Sequence, residues 1–541
     1  MSTDQEIYNA YLTGEKPPNN KTWSGFELKE FYGPNDALPT PEIPGAYPFT
    51  RGIHRDMYRR RFWTRRQQSG FGTPEESNKR MKFLLKEGQT GLNLNLDVPG
   101  ELGLDADHPL AEGDVGLVGT SLSTLEDAER LFADLPLDKI STTIILAPPS
   151  SAILMAMYVL IARKRGIPEA DLIGTIMNDS FDQLVGPTKE AVERIFPIDA
   201  SVRLGIDVME YCVKHMPKWN ILNINAYNMR ETCINAVQEG AFALSLVREY
   251  IERLLKRGLD IDEFARRIAF FCDMHIDFLE EIAKIRAMRR IWARMLRERF
   301  GANDASCRFR AAIQTSGLQL TAQQPLNNII RATIQTLAAV LAGTQSIHTT
   351  SYDEGYALPT EESHKLSIRI QQIIGYETGV TKTVDPLGGS FAIESLTGKL
   401  EQEIQSLMRV IEDKGGFIEC FKQGWIENEI NRARYDYARR IETGEQVVVG
   451  VNAFREENEE MKINIFRLPG DMAARRREYV TNYKKNRDQP KVERAQKALL
   501  QEARTNANLF PAILEAVATG ATLGEISDTL RKAENFELKF R

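Results

Sequence analysis

Residues 91–97 read GLNLNLD and residues 219–227 read WNILNINAY; in both, asparagine alternates with leucine or isoleucine. A period of two belongs to a β-strand, so the asparagines share one face and the aliphatic residues the other. Working outward, short strand-like runs alternate with helical patterns. GLNLNLD and a less regular strand near 114–117 precede the helix STLEDAERLFADL (123–135). ISTTIIL (140–146) precedes SAILMAMYVLIARKRG (151–166), and DLIGTIMN (171–178) precedes an insertion and then SVRLGIDVMEYCVKHM (201–216). WNILNINAY precedes a helix to about Lys256, and RRIAFF (266–271) one to Arg299. CRFRAAIQTSG (307–317) leads into PLNNIIRATIQTLAAVLAG, and QSIHTT (345–350) into EESHKLSIRIQQIIGYE. About eight strand–helix repeats over about 280 residues are the signature of an α/β protein built as a (β/α)8 TIM barrel. A doubly wound sheet is the alternative, ranked lower because no GxGxxG follows an early strand.

An ordinary barrel fills its interior with branched aliphatic residues. Here Asn93, Asn95, Thr142, Thr143, Thr175, Asn223, Asn225, Gln314 and Ser346 fall within or at the ends of strands. If helices cover the outside, the apolar strand faces point outward and the polar faces point into the barrel. Buried amides need partners. Either a long polar ligand threads the barrel and supplies them, or these residues satisfy one another at the strand ends.

Flanking segments complete the layout. Residues 1–50 are rich in Pro, Gly and Asn and read as an extended arm that wraps on a partner. RGIHRDMYRRRFWTRRQQSGF (51–71) holds seven arginines against one acid, Asp56. Such a stretch suits a polyanion, because Arg forks match phosphate oxygens; a solvated face or an oligomer contact reads equally from composition. A helix follows from Thr73 to Glu87, with Thr73 as N-cap, Pro74 next and Glu76 closing a capping box. Beyond 380 the pattern is helical, with a short strand at VVVGVNAF. Residues 454–492 read as a charged linker or solvated surface, and two helical pieces close the chain, from Pro490 to about Ala507 and from about Leu509 to Ala533. The expected domains are 1–72 (arm and entry segment), 73–380 (barrel) and 381–541 (helical region).

Composition narrows the function classes. A net charge of -6 argues against general nucleic-acid binding. No apolar run reaches the roughly 18–20 residues of a membrane helix, and the first twenty residues are too polar for a secretory signal. Five scattered cysteines without CxxC spacing predict reduced thiols in a cytoplasmic protein, and six histidines without HxH or HxxxH spacing predict no metal site.

PFTRG (48–52) with Met57-Tyr58, then RFWTRRQ (61–67), resembles the coenzyme-A-gripping entry segment of the methylmalonyl-CoA mutase family. The resemblance continues through SGFGTPEESNKR, GQTGLNLNLDVP, MPKWN, QTSG…LTAQQPLNNIIRA, GTQSIHTTSYDEGYALPTE and VDPLGGSF, from about Pro48 to about Lys532. It implies a barrel with the CoA thioester threaded along its axis and adenosylcobalamin (coenzyme B12) across its mouth. The implied reaction is a radical 1,2-rearrangement of the acyl carbon skeleton, started by homolysis of the cobalt–carbon bond. By position, Arg61, Thr64, Arg66, Lys218 and Arg267 would hold CoA, with Asn93, Thr175 and Met177 lining the way. Glu231, Gln314, Gln345 and Glu354 would face the cofactor.

Three departures shape the expectation. No DxHxxG cobalamin motif is present; Asp273-Met274-His275 lacks the glycine. The resemblance is therefore to the large subunit of a split mutase. It implies a separate small cobalamin-binding subunit, a heterotetramer or larger assembly, and a G-protein chaperone that loads the cofactor. The strand carrying the family's GTIQND reads GTIMND (174–179), and no Arg stands where the family binds a free carboxylate, near Gly186 and Pro187. The acyl group is thus expected to be branched, hydroxylated or aromatic, without a carboxylate. Finally, Gln68 and Asn228 replace an active-site Tyr and His, and Ala312 a further His. Gln68, Asn95 and Asn228 are the expected catalytic group. The alternative is a barrel that has lost activity and serves as a structural or regulatory subunit.

Overall fold

Thr73 starts the first long helix as its sequence predicts. Its hydroxyl accepts from the Glu76 amide at 3.3 Å, the Glu76 carboxylate accepts from the Thr73 amide at 2.8 Å, and the helix runs Pro74–Lys86. Replacing Thr73 with Ala orphans one amide and should cost about 1 kcal/mol in chemical denaturation. This computed structural model describes residues 21–29, 32–36, 42–181, 195–456, 463–468 and 470–539. The segment around Gly186 and Pro187 lies outside the described residues.

Among the described residues, ten strands follow in chain order: β1 (Thr64–Arg65), β2 (Gln68–Ser69), β3 (Gly91–Leu94), β4 (Ser141–Ile144), β5 (Gly174–Ile176), β6 (Trp219–Asn220), β7 (Leu222–Asn225), β8 (Ile268–Met274), β9 (Ala311–Thr315) and β10 (Ser346–His348). The chain divides into two compact units. Unit 1 is Met1–Trp63, Ala226–Glu249 and Phe270–Phe466; unit 2 is Thr64–Asn225, Tyr250–Ala269 and Arg467–Arg541. In unit 2 the sheet order is β2-β3-β4-β5-β6, and every pair is parallel. In unit 1, β8, β9 and β10 pair in that order, again parallel. Parallel neighbours separated by helices are what the alternating pattern predicts for an α/β protein.

In unit 2 the helix Ser150–Lys164 is apolar almost all round, and Ser150 through Val159 are all buried. Its surroundings explain this: it packs beside β4 and beneath the C-terminal helices Phe510–Ala518 and Leu523–Ala533. In unit 1 the helix Phe278–Phe300 lies along Phe391–Asp413, with Arg290 and Arg294 both reaching Glu401. No helix among the described residues is long and apolar enough to cross a membrane.

Several expectations need correction. Residues 114–117 form turns, not a strand: Gly113 and Gly116 take positive φ, the Asp97 carboxylate accepts from the Gly116 amide at 2.7 Å, and the ladder resumes only at the single bridge Leu96–Thr120. VVVGVNAF is a turn closed by one Val449–Ala453 bridge, because the Asn452 side chain takes the Val448 amide at 2.7 Å. The charge-dense stretch contains the helix Met472–Asn486. Arg476 there is buried and grips both oxygens of Asp127, at 2.9 and 2.8 Å, so part of that charge is interior. The last piece breaks at Gly520, whose φ of +96° ends one helix before Thr522 caps the next. Of the N-terminal arm, residues 21–29 pack on unit 1 itself: the Trp23 amide donates to Asp277 at 2.8 Å and its ring meets His275 at 4.4 Å.

Candidate functional site

The alternation in GLNLNLD produces the face it predicts. Across unit 2, Gln68 pairs with Asn93, Asn93 with Thr143, Thr143 with Thr175, and Thr175 with Asn220. Paired residues of neighbouring strands project from the same face, so these five polar side chains form one continuous row. The intervening residues Leu92, Leu94, Ile144 and Ile176 are buried on the opposite face. Thr142, grouped with the polar set by sequence, lies on that opposite face, where the Tyr158 hydroxyl from the covering helix reaches it at 3.4 Å. Within the row, Asn220 donates to Thr175 at 3.0 Å and Arg66 to Thr143 at 2.6 Å. The side-chain oxygens of Asn93, Asn95 and Asn223 are buried and have no hydrogen-bond partner. An unmet buried acceptor costs about 1–3 kcal/mol, and these three oxygens are not satisfied by the neighbouring side chains.

One step toward the strand C-termini the row changes character. The ladder continues through Ile145 and Met177, whose amides bond the Leu94 and Ile144 carbonyls at 2.9 and 2.8 Å. Asn95, Ile145 and Met177 thus follow Asn93, Thr143 and Thr175, and Asn225 donates to the Met177 sulfur at 3.3 Å. This level is uncharged.

The opposite, N-terminal edge of unit 2 carries the cations. Arg66 is buried, donating to the Leu92 and Ser141 carbonyls at 2.9 and 3.2 Å. Thr64 stands beside it against Gly91, where any side chain would strike both. Lys218, just before β6, pairs with Asp171 at 2.7 Å, with both side chains about half exposed (53% and 49%). Such a surface pair is worth under about 1 kcal/mol and is easily exchanged for another anion. Arg267, just before β8, is buried and donates to the carbonyls of Cys212 and Met216 at 3.1 and 3.0 Å, capping the helix Ile198–His215. Arg61 is exposed in unit 1.

In unit 1 the polar groups gather at the C-terminal ends of the strands. Immediately after β7, the turn Ala226–Arg230 presents Tyr227 and half-buried Asn228, with Glu231 following. Gln314 donates to the Tyr227 hydroxyl at 2.9 Å. Glu231 accepts from the Ser316 hydroxyl at 2.6 Å and the Leu318 amide at 2.8 Å, so it is tied to the loop after β9. Glu354, after β10, accepts from the Ser351 amide at 2.7 Å. Burial pushes the Glu354 carboxyl up to about 8, aided by the negative charges of Asp353 and Glu231. Burial likewise raises Glu231. Glu354 therefore keeps its proton at physiological pH.

Gln345 does not join it. It precedes β10 and its side chain accepts from the Ala311 amide at 2.8 Å, at the start of β9, whereas Gln314 lies toward the end of that strand. At about 3.3 Å per residue the two glutamines are separated by roughly 10 Å along the sheet. Gln68 and Asn95 lie in unit 2 and Asn228 in unit 1. Tyr227 and Ser316, which order the rim, were not among the expected site residues, although they stand one and two positions from Asn228 and Gln314. A surface groove of about 530 Å³ in unit 2, lined by Arg163, Glu169, Tyr211 and His215, lies on the helices away from this face.

Residues 21–536 match the family model of methylmalonyl-CoA mutase. The chain is 40% identical over 527 residues to the 2-hydroxyisobutanoyl-CoA mutase large subunit of Aquincola tertiaricarbonis, covering 96% of this chain and 93% of that one. It is 38% identical to the mitochondrial methylmalonyl-CoA mutase of Homo sapiens, over 96% of this chain and 69% of the relative, and 38% identical to the methylmalonyl-CoA mutase of Rhizobium meliloti, over 95% and 73%.

Proposed function

Because this chain belongs to the methylmalonyl-CoA mutase family of B12-dependent isomerases, we propose that it is the large subunit of an adenosylcobalamin-dependent acyl-CoA mutase that works with a separate cobalamin-binding subunit. The observation that carries this reading is the near-complete mutual coverage with a relative that is itself a large subunit. The geometry supports it. Arg66, Thr64, Lys218 and Arg267 take the nucleotide end of CoA at the N-terminal edge. The Gln68–Asn93–Thr143–Thr175–Asn220 row, together with the unmet oxygens of Asn93, Asn95 and Asn223, accepts hydrogen bonds from the amides of the pantetheine arm. Gln345, at the N-terminal end of its strand in unit 1, stands apart from Glu231, Gln314 and Glu354.

The residues present fit the cofactor. Glu231, Gln314 and Glu354 gather on the C-terminal rim of unit 1, Gln314 buried and the two glutamates part-buried, and would hold its nucleoside side. When bound, adenosylcobalamin supplies the homolytic chemistry that lets a hydrogen atom leave the acyl group and return. The protein's own part is to orient the thioester, exclude water and polarise its carbonyl, a task assigned to Asn228.

The acyl group carries no free carboxylate. Asn95, Ile145 and Met177, at the C-terminal level of unit 2, include no cation, and an unpaired buried carboxylate is costly. The test is a screen of acyl-CoAs with the chain reconstituted with its cobalamin-binding partner, isomers being resolved by mass. A branched or hydroxylated acyl-CoA should turn over; efficient turnover of methylmalonyl-CoA or succinyl-CoA would refute the assignment. Visible-absorbance titration of the chain alone should show weak cofactor binding, and a tight imidazole-ligated spectrum would sink the separate-subunit reading.

A further inference from the structure

In unit 1 the helix Asn327–Leu341 has the composition of a buried helix. Of its 15 residues only Arg331 is charged, in a chain whose residues are 27% charged. One side is covered: Ala332, Gln335, Thr336, Ala338 and Ala339 are buried, and the helix packs against Phe278–Phe300, Glu361–Tyr376 and β9. The other side is bare. Leu326 at the N-cap, Ile330 and Ile334 follow at four-residue spacing, which stacks them on one face. They are 62%, 60% and 39% exposed. A second segment widens this stripe. The Arg331 guanidinium donates to the Val449 carbonyl at 2.8 Å and the Gln324 side chain to the Phe454 carbonyl at 2.9 Å, which ties the turn around Gly450 to the start of the helix. Val449 and Phe454 are themselves 41% and 49% exposed. Arg331 also donates to Thr321 and Asn328 at 2.9 and 2.7 Å, so the one charge beside the patch is spent within unit 1. Unit 2 holds a comparable helix. Ser150–Lys164 carries charge only in its last two residues, and the C-terminal helices Phe510–Ala518 and Leu523–Ala533 cover it. Among the described residues, nothing does the same for Leu326, Ile330 and Ile334.

We infer that this face is a contact between two copies of the chain, with Asn327–Leu341 packed antiparallel on its own mate. The inference is independent of the mutase reading. Apolar residues four apart on one helix are self-complementary under a two-fold axis. With Ile330 at the axis, Leu326 of one copy meets Ile334 of the other. No charged side chain faces its own copy, because the stripe carries none. The area fits as well. Leu326, Ile330, Ile334, Val449 and Phe454 together expose on the order of 500 Å², the size of patch that monomers keep bare for a function. Pairing two copies doubles this to about 1,000 Å² before the polar rim of Gln323, Asn327 and Thr333 is counted, which is where specific interfaces begin. A second copy covers the helix in unit 1 as the C-terminal helices cover Ser150–Lys164 in unit 2.

The test is sedimentation velocity of the full chain alone across a concentration series. The native chain should sediment as a dimer. Ile330→Glu sets two like charges against each other at the axis and should weaken dimerisation by about 100-fold or more. Its far-UV circular dichroism should stay native, since Ile330 is exposed in the single chain. Val410→Glu, on the helix Phe391–Asp413 and 42% exposed, should leave the dimer intact. Ile330→Cys should form a covalent dimer under a mild oxidant, because the axis brings the two thiols together, and Val410→Cys should not. A native chain that is monomeric throughout, or a dimer that survives Ile330→Glu and fails to cross-link through Ile330→Cys, overturns the inference. A chain that is monomeric alone and joins its cobalamin-binding subunit, with Ile330→Glu abolishing that association, also overturns it and gives the patch to that subunit.

Discussion

Lys284→Met should destabilise the protein by about 3–5 kcal/mol, a large fraction of the 5–15 kcal/mol typical of a folded domain. Lys284 is completely buried in unit 1, and its ammonium donates to Glu239 at 2.6 Å, to Glu281, and to the Asp273 carbonyl at 2.7 Å. Arg230 is the other cation, 3.3 Å from Glu281 and 3.6 Å from Glu239. Glu239 also accepts from the Asp273 amide at 3.0 Å, so the cluster fixes the strand that carries Asp273. Methionine fills similar volume but leaves two buried carboxylates to one guanidinium. The loss then comes from uncompensated charge, not from a cavity. Burial already raises Glu239. A raised folded-state pKa gives stability that is present at low pH and lost as pH rises, so the deficit should grow above about pH 4.3, the unfolded glutamate value. Urea unfolding at pH 5 and pH 8 measures both. Adding Glu239→Gln and Glu281→Gln should restore much of the loss, and a single variant as stable as the native chain would show that the cluster contributes nothing.

Asn228→Ala should lower turnover by about 10²-fold in the reconstituted complex while changing KM little, the pattern for loss of a donor that matters mainly in the transition state. Asn228 stands on the turn after β7, one residue from Tyr227 and three before Glu231, at the strand end where barrel enzymes carry their chemistry. An amide can polarise a thioester carbonyl by donating a hydrogen bond, but it cannot transfer a proton at neutral pH. The Asn228→His variant separates these roles: a pH-dependent kcat absent from the native enzyme would mark proton transfer newly introduced. Unchanged kcat in Asn228→Ala would remove Asn228 from the mechanism. A native complex inert toward every acyl-CoA, yet activated by Gln68→Tyr with Asn228→His, would favour the inactive-subunit alternative.

Local chemistry was legible where it acts locally. The Thr73–Glu76 capping box, the helix Phe278–Phe300 and the two-residue period of GLNLNLD each depend on neighbours within a few residues, and each forms as written. Local reading failed where a distant partner overrides it. Arg476 sits in a stretch that reads as solvated charge, but Asp127, hundreds of positions earlier, pulls it inside. Asp97 diverts 114–117 from a strand by holding the Gly116 amide.

The sequence by itself determined the α/β class, the family and the polar strand face, because periodicity, caps and motif spacing are properties of the chain read in order. Only the tertiary structure decided which of those polar residues stand side by side. Register between strands is set by packing and pairing of segments far apart in the chain, so no local pattern states that Asn93 meets Thr143, or that Gln345 lies a strand's length from Gln314. For the same reason Asp273 and His348 become neighbours of Gln314 only when β8, β9 and β10 pair in that register.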